Sequence, residues 1–227
     1  MIQIAIDGFS GSGKGELSKG LARKFNLKHL DTGAILRSMG LYFFSIGITE
    51  GINDALVDEH YENLNVKIEF DGDTQITYLN GEDVSKTIRT EQMGQMASRV
   101  AVVPKAMQKL IDISREFAEK YDCVLDGRNI TTEVLPNADV KFFLDATPEC
   151  RAQRRHSESL AKGQQSDYEQ VLKSLKERDY RDTHREFSRM YVVEDAIVVD
   201  NTNMSIAETI EYCCNVVTEK LKQKGKL

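Results

Sequence analysis

Gly8-Phe9-Ser10-Gly11-Ser12-Gly13-Lys14-Gly15 follows the apolar run Ile2–Ile6 with only Asp7 between them. A strand-like run, a glycine-rich turn and a helical pattern beyond it make the grammar of a phosphate-binding loop. Such a turn points successive backbone N–H groups into one concavity. The positive end of the following helix adds to that field, and the Lys14 ammonium reaches the outer phosphates. A purely structural glycine turn is the alternative, but the place between strand and helix favours phosphate. One position departs from the pattern: a hydroxyl is expected just after the lysine, and here Gly15 is followed by Glu16.

Around this loop the strand and helix patterns alternate. Apolar runs at His29-Leu30, Val124-Leu125, Val140–Leu144 and Ala196–Val199 lead into Asp31, Asp126, Asp145 and Asp200, as Ile2–Ile6 leads into Asp7. Helical stretches lie at Leu17–Phe25, 105–120 and 204–223, and the charged stretch 150–189 reads as helix broken near Lys162-Gly163. Short buried strands separated by helices predict an α/β fold with a parallel sheet covered on both faces. Ligands of such sheets sit at the carboxyl ends of the strands, where the five aspartates are expected to gather. Residues 64–84 differ. Val66–Phe70 alternates, Asp71-Gly72-Asp73 turns, and Gln75–Leu79 runs to Asn80-Gly81, which predicts an antiparallel β-rich insert.

With 227 residues the chain suits one domain with an inserted lobe. Its net charge of −6 disfavours a general nucleic-acid or membrane-surface binder, so an anionic ligand needs a local cluster of cations. The four cysteines, Cys123, Cys150, Cys213 and Cys214, lack zinc-site spacing and read as reduced thiols. The chain enters its first strand without a leader pattern and has no apolar run of membrane length, so a cytoplasmic protein is expected.

The cations are present. Arg151, Arg154, Arg155, Arg178, Arg181, Arg185 and Arg189 crowd one stretch of an acidic protein. Ion pairs along a solvated helix with Glu177, Asp179 and Asp182 would account for any single one. As a group they suit phosphoryl transfer, because the guanidinium fork matches phosphate oxygens. At the end of a strand, Asp126-Gly127-Arg128-Asn129 offers a carboxylate to orient Mg²⁺ through water and an arginine for a phosphate; a buried Asp–Arg turn is the alternative. In Asp31-Thr32-Gly33 with Arg37, the threonine can bond a substrate and the arginine can face the same cleft; an N-cap and a surface arginine are the alternative.

Taken together, these residues resemble the bacterial cytidylate kinase family of nucleoside monophosphate kinases. The resemblance runs in order through Asp7–Gly15, Asp31-Thr32-Gly33-Ala34, Leu79-Asn80-Gly81-Glu82-Asp83-Val84, Ile88-Arg89-Thr90, Ala97-Ser98, Asp126-Gly127-Arg128, Lys176-Glu177-Arg178-Asp179 with Arg181-Asp182, and Glu194–Ile197. It implies a P-loop fold with a five-stranded parallel sheet and helices on both faces. The core would comprise 1–63, 91–151 and 169–227, with a nucleotide-monophosphate-binding insert at about 64–90 and a short lid at about 152–168. It implies transfer of the ATP γ-phosphoryl group to CMP or dCMP with Mg²⁺ carried by ATP, by a monomer. By matched position Gly8 through Glu16, Lys14 included, hold ATP. Arg37, Arg128 and Arg185 contact the acceptor phosphate. The lid arginines Arg154 and Arg155 close on the transferred group. Arg178 and Asp182 hold the acceptor sugar, and Thr32 and Ser98 contact the acceptor nucleotide.

The chain also departs from the family pattern. Glu16 replaces threonine and is expected to weaken ATP binding. Asn129 replaces the aspartate that accepts from the cytosine amino group, and Met107 replaces an arginine that works beside it. Lys105 or Lys109 can stand in for that arginine. An asparagine amide can donate or accept, so base choice is expected to relax or shift, toward UMP for example. A weakly catalytic nucleotide-binding relative is a further reading; a water-using P-loop NTPase leaves the insert and the arginines without a purpose. Phe9 and Leu36 replace proline and tyrosine.

Overall fold

The computed structural model describes all 227 residues. The elements run β1 (Gln3–Gly8), α1 (Lys14–Phe25), β2 (Lys28–Asp31), α2 (Thr32–Ser45), α3 (Asp54–Glu59), β3 (Val66–Asp71), β4 (Thr74–Leu79), β5 (Glu82–Asp83), α4 (Glu91–Val100), α5 (Pro104–Ala118), β6 (Cys123–Gly127), β7 (Val140–Asp145), α6 (Pro148–Ala161), α7 (Tyr168–His184), β8 (Ile197–Asp200) and α8 (Ile206–Gln223). A five-stranded parallel sheet has the order β2-β6-β1-β7-β8, and a separate antiparallel sheet has the order β3-β4-β5. The chain divides into two compact units, one built from 1–27 and 122–227, the other from the continuous segment 28–121.

In the first unit, β1 lies between β6 and β7, with Ile4 paired to Val124 on one side and Val140 on the other. Ile4, Ala5 and Ile6 are all fully buried, which explains the unbroken apolar run: a strand covered on both faces has no polar alternation. Leu17 and Leu21 of α1 and Val217 and Leu221 of α8 join Ile4, Ile6, Phe142 and Leu144 in one core. Helix α1 begins three residues before its apolar pattern does. Gly13, at φ +96, turns the chain into it and contributes no capping side chain. The charged stretch forms α6 and α7, separated at 162–167 as expected.

Gly8 ends β1 at φ +147, and a Cβ placed there would stand 2.0 Å from the Leu144 carbonyl oxygen of β7. Backbone against backbone cannot yield. Gly8→Ala is expected to destabilise by more than the roughly 3 kcal/mol that bounds most substitutions, measured by denaturant unfolding.

The second unit carries the antiparallel sheet, which lies within residues 66–83. Val66 pairs with Leu79 and Asp71 with Thr74. Asn80 (φ +51) and Gly81 (φ +87) form the next turn, both in the left-handed region that a two-residue hairpin requires. Helices α2 and α4 approach closely: a Cβ on Gly40 would meet the Met96 Cβ at 2.8 Å.

Candidate active site

In the first unit the glycine-rich loop wraps a buried ammonium. Lys14 donates from Nζ to the Phe9 carbonyl at 2.7 Å, and the same carbonyl accepts from Ser12 Oγ at 2.9 Å. Burial pushes the Lys14 pKa well down, and the Arg128 and Arg178 charges push the same way, against support from Asp126 and Asp7. A cation so poorly solvated and so close to other cations would be stabilised by a neighbouring anion. Phe9, for which the sequence suggested no reason, packs edge-on against Phe143 with centroids 5.7 Å apart and lies 5.0 Å from the Arg151 guanidinium.

The turn after β6 brings Arg128 over this loop. Its Nε donates to Asp182 at 2.8 Å and its Nη1 donates to the Gly8 carbonyl at 3.0 Å. Arg178 stands 3.9 Å from the same Asp182 oxygen, one helical turn away on α7. Burial raises the Asp182 pKa, but Arg128 and Arg178 outweigh it and hold the carboxyl below its usual range. Arg185 follows α7 directly and donates from Nε to the Ser188 carbonyl at 2.6 Å. The group therefore gathers Lys14, Arg128, Arg178 and Arg185 with Asp126 and Asp182. These six come from α1, from β6 and the turn after it, and from α7 and the residue that follows it; the approach of Arg128 to Asp182, 54 residues apart, is not legible in the sequence.

Asp7, the residue in which the apolar run of β1 ends, organises the turn that carries Arg128. Fully buried, it accepts from the Ile130 N–H (2.8 Å), the Thr131 N–H (2.9 Å) and the Thr131 hydroxyl (2.6 Å). Burial raises its pKa, and these three donors offset part of the rise. The gathering of five strand-end aspartates is only partial. Asp145 accepts from the Ala146 N–H and Asp200 from Thr202, so these two cap their own turns.

Two arginines of the crowded stretch donate to protein acceptors. Arg151, 1% exposed, donates from Nε to the Ala146 carbonyl, from Nη1 to the Ser10 carbonyl, and bidentately to Asp179 at 3.2 and 2.6 Å. It is not a phosphate fork, because protein acceptors occupy it. Arg154 donates to Asn201 Oδ1 at 2.9 Å and to the Asn201 carbonyl at 2.7 Å, while Asn201 Nδ2 donates to the Ser12 carbonyl of the loop. Arg155 is half-buried on α6, and Arg181 and Arg189 are exposed.

Asn129 is buried, and its Nδ2 donates to Glu133 Oε2 at 2.8 Å. Glu16 points outward, its side chain 60% exposed and paired to Lys19 at 2.8 Å. An exposed pair of this kind contributes at most about 1 kcal/mol. The expected weakening of ATP binding therefore has no geometric basis: Glu16→Thr is expected to leave the KM for ATP and the melting temperature unchanged within error.

The second unit holds its own charged group. Asp31 closes β2 and accepts from Arg37 at 2.7 Å and Arg89 at 2.5 Å, while its N–H donates to Gln75. Burial raises its pKa, yet Arg37 and Arg89 carry it well below the carboxylate range. Buried Thr32 opens α2, and the Ser98 hydroxyl bonds back to the Gly94 carbonyl. Met107 is a core residue at 1% exposure. Neither lysine stands in for an arginine there: Lys105 is bound to Asp58, and Lys109 lies 3.6 Å from the Tyr61 ring centroid.

Residues 4–219 match the family model described as cytidylate kinase. The curated relatives include the protein named cytidylate kinase of Mycobacterium leprae, 40% identical over 220 residues and covering 96% of each chain. Another is the cytidylate kinase of Caldicellulosiruptor saccharolyticus, 40% identical over 210 residues and 92% of each chain. Among solved structures, an uncharacterized protein from Eubacterium ventriosum is 16% identical with a TM-score of 0.50, covering 96% of this chain and 99% of its own. That likeness speaks to the fold alone.

Proposed function

The chain belongs to the cytidylate kinase family, and from that premise we propose that it transfers the γ-phosphoryl group of ATP to CMP or dCMP, giving ADP and CDP or dCDP. The observation that carries the reading is the cation cluster at the glycine-rich loop. Lys14 is buried and depressed in pKa, with Arg128 and Arg178 close enough to oppose its charge. Such a site stabilises added negative charge rather than activating a nucleophile of its own.

The chemistry asks little else of the protein. An oxygen of the acceptor phosphate attacks the γ-phosphorus in line, the bond to the ADP oxygen breaks, and charge spreads over the transferred group. Lys14 and the loop amides are assigned to the ATP phosphates. Arg128 and Arg185 are assigned to the acceptor phosphate, with Arg37 of the other unit by matched position. Freed from Asp31, Arg37 would exchange a carboxylate for a phosphate, its Nε being buried without a partner. Arg178 and Asp182 are assigned to the acceptor sugar, Thr32, Ser98 and Asn129 to the acceptor nucleotide, and Arg155 with Arg154 to a lid at about 152–168. The insert at about 64–90 is assigned to the monophosphate side.

Mg²⁺ belongs to this reading as a partner of ATP. No group of three or more His, Cys, Asp or Glu is arranged to hold a metal by itself, and Asp126, a buried carboxylate at a strand end that supports the Lys14 charge, fits contact through water. Bound with ATP, Mg²⁺ neutralises phosphate charge. We further assign the protein to the cytoplasm as a monomer; no helix is long and apolar enough to cross a membrane.

Steady-state ADP release with CMP, dCMP, UMP and dUMP in turn tests the reading. The cytidine nucleotides are expected to give the higher kcat/KM; a preference for uridine nucleotides, or ATP turnover indifferent to any monophosphate, would overturn it. Neither a uridine-directed kinase nor a weakly catalytic relative is favoured by any observation.

A further inference from the structure

We propose that Glu133 is a positioning residue that sets base choice: by accepting from Asn129 Nδ2 it fixes the Asn129 amide with Oδ1 as the atom left for a ligand, which selects an acceptor base bearing an exocyclic amino group over one bearing a carbonyl. The inference rests on the reading above that Asn129 meets the acceptor nucleotide.

An asparagine by itself does not discriminate, because rotating its amide by 180° exchanges donor for acceptor. Here the rotation is blocked. Asn129 Nδ2 lies 2.8 Å from Glu133 Oε2. A carboxylate oxygen only accepts, so the flipped amide would set two oxygens against each other at that distance. The orientation thus follows from chemistry and not from the near-identity of O and N in shape. The same Glu133 oxygen accepts from the Ser188 hydroxyl at 2.6 Å. Ser188 is itself constrained: it is 5% exposed, adopts φ +50, a region costly for a residue other than glycine, and its carbonyl accepts from Arg185. Arg185 in turn counts Glu133 among the charges that support its own. Glu133 is therefore held from both sides before any ligand arrives. Nothing else donates to Oδ1 of Asn129.

The arrangement also explains why position 129 is an amide. A carboxylate there would stand against Glu133 with nothing between them, and the like charges would repel. One acid at 133 and one amide at 129 present a single acceptor without that repulsion. A partner that offers N–H satisfies Oδ1, whereas a carbonyl oxygen brought to the same place leaves two buried acceptors facing each other.

Glu133→Gln tests this, because glutamine keeps the shape but can accept from or donate to the Asn129 amide, so both orientations become available. The kcat/KM ratio of CMP over UMP is expected to fall about tenfold, with the KM for ATP and the melting temperature unchanged. In proton–nitrogen spectra the Asn129 side-chain amide signal, identified by its disappearance in Asn129→Ala (or Asn129→Ser, should the alanine variant not fold), is expected to move upfield as its carboxylate acceptor is lost. If the Asn129 variants lower the ratio and Glu133→Gln does not, the positioning role is overturned while the place of Asn129 at the base stands. If none of them changes the ratio, residue 129 does not meet the base, and that assignment falls with the inference.

Discussion

Lys14→Met is expected to lower kcat by about 10³-fold while the protein stays as stable as before, or becomes more so. Removing one preorganised donor from a transition-state site costs roughly 10²–10³ in rate, and arginine or lysine charge on a transferring phosphoryl group can be worth more. Stability responds in the opposite sense. The Lys14 ammonium is buried, its pKa is pushed down first by that burial and then by Arg128 and Arg178, and it donates to the Phe9 carbonyl. An interaction that lowers the pKa of a base disfavours the charged form, so in the unliganded protein this charge is a burden on folding. Methionine keeps the length and apolar stem and removes the burden. Single-turnover kinetics beside chemical denaturation measure the two effects separately. A loss of several kcal/mol in stability would show that Lys14 holds the loop together instead of waiting for phosphate.

Arg151→Met is expected to do the reverse, destabilising the protein by about 3–5 kcal/mol. For a domain of this size that shifts the melting temperature by roughly 10 °C. The side chain makes two bonds to Asp179 and one each to the carbonyls of Ala146 and Ser10. Truncating it strands a largely buried carboxylate with no counter-charge, and that unpaired charge, not the lost attraction, dominates the cost. The double change Arg151→Met with Asp179→Leu removes both charges and is expected to recover most of the stability. Because Arg151 also fixes the loop at Ser10, activity of the double variant is expected to stay below that of the parent even where stability returns. Failure of the second change to restore stability would mean that the two carbonyl bonds matter more than the ion pair.

The two arguments separate residues that look alike in the sequence. Arg151 and Arg154 share spacing and neighbours with the other arginines of the stretch, and only the fold shows their donors occupied by Asp179, Asn201 and main-chain carbonyls. Local signals carried well: the unbroken apolar β1, the glycine loop, and the Asn80-Gly81 turn each follow from conformational rules that act over a few residues. What needed the structure was pairing at a distance. Arg128 with Asp182, Arg89 with Asp31 and Lys105 with Asp58 are separated by dozens of residues, and composition has no term for them. Glu16 was misleading for a different reason. A residue in the first turn of a helix beside a phosphate loop reads as close to the ligand, but the helical turn directs its side chain to Lys19 and to solvent. Glu133 lies between these cases. It stands four residues after Asn129, yet the contact depends on Ile130–Val134 being one wide helical turn rather than a strand.

The sheet order has a consequence for the ribosome. Both neighbours of β1 are encoded far downstream, since Gln3 pairs with Cys123 and Ile4 with Val140. The segment 28–121 is continuous and can gather its own contacts while it is being synthesised, whereas the first 27 residues must wait for more than a hundred others. The glycine-rich loop is thus among the first parts of the chain to be made and among the later ones to acquire its shape, because the strand that leads into it does not have both its neighbours until translation has passed β7.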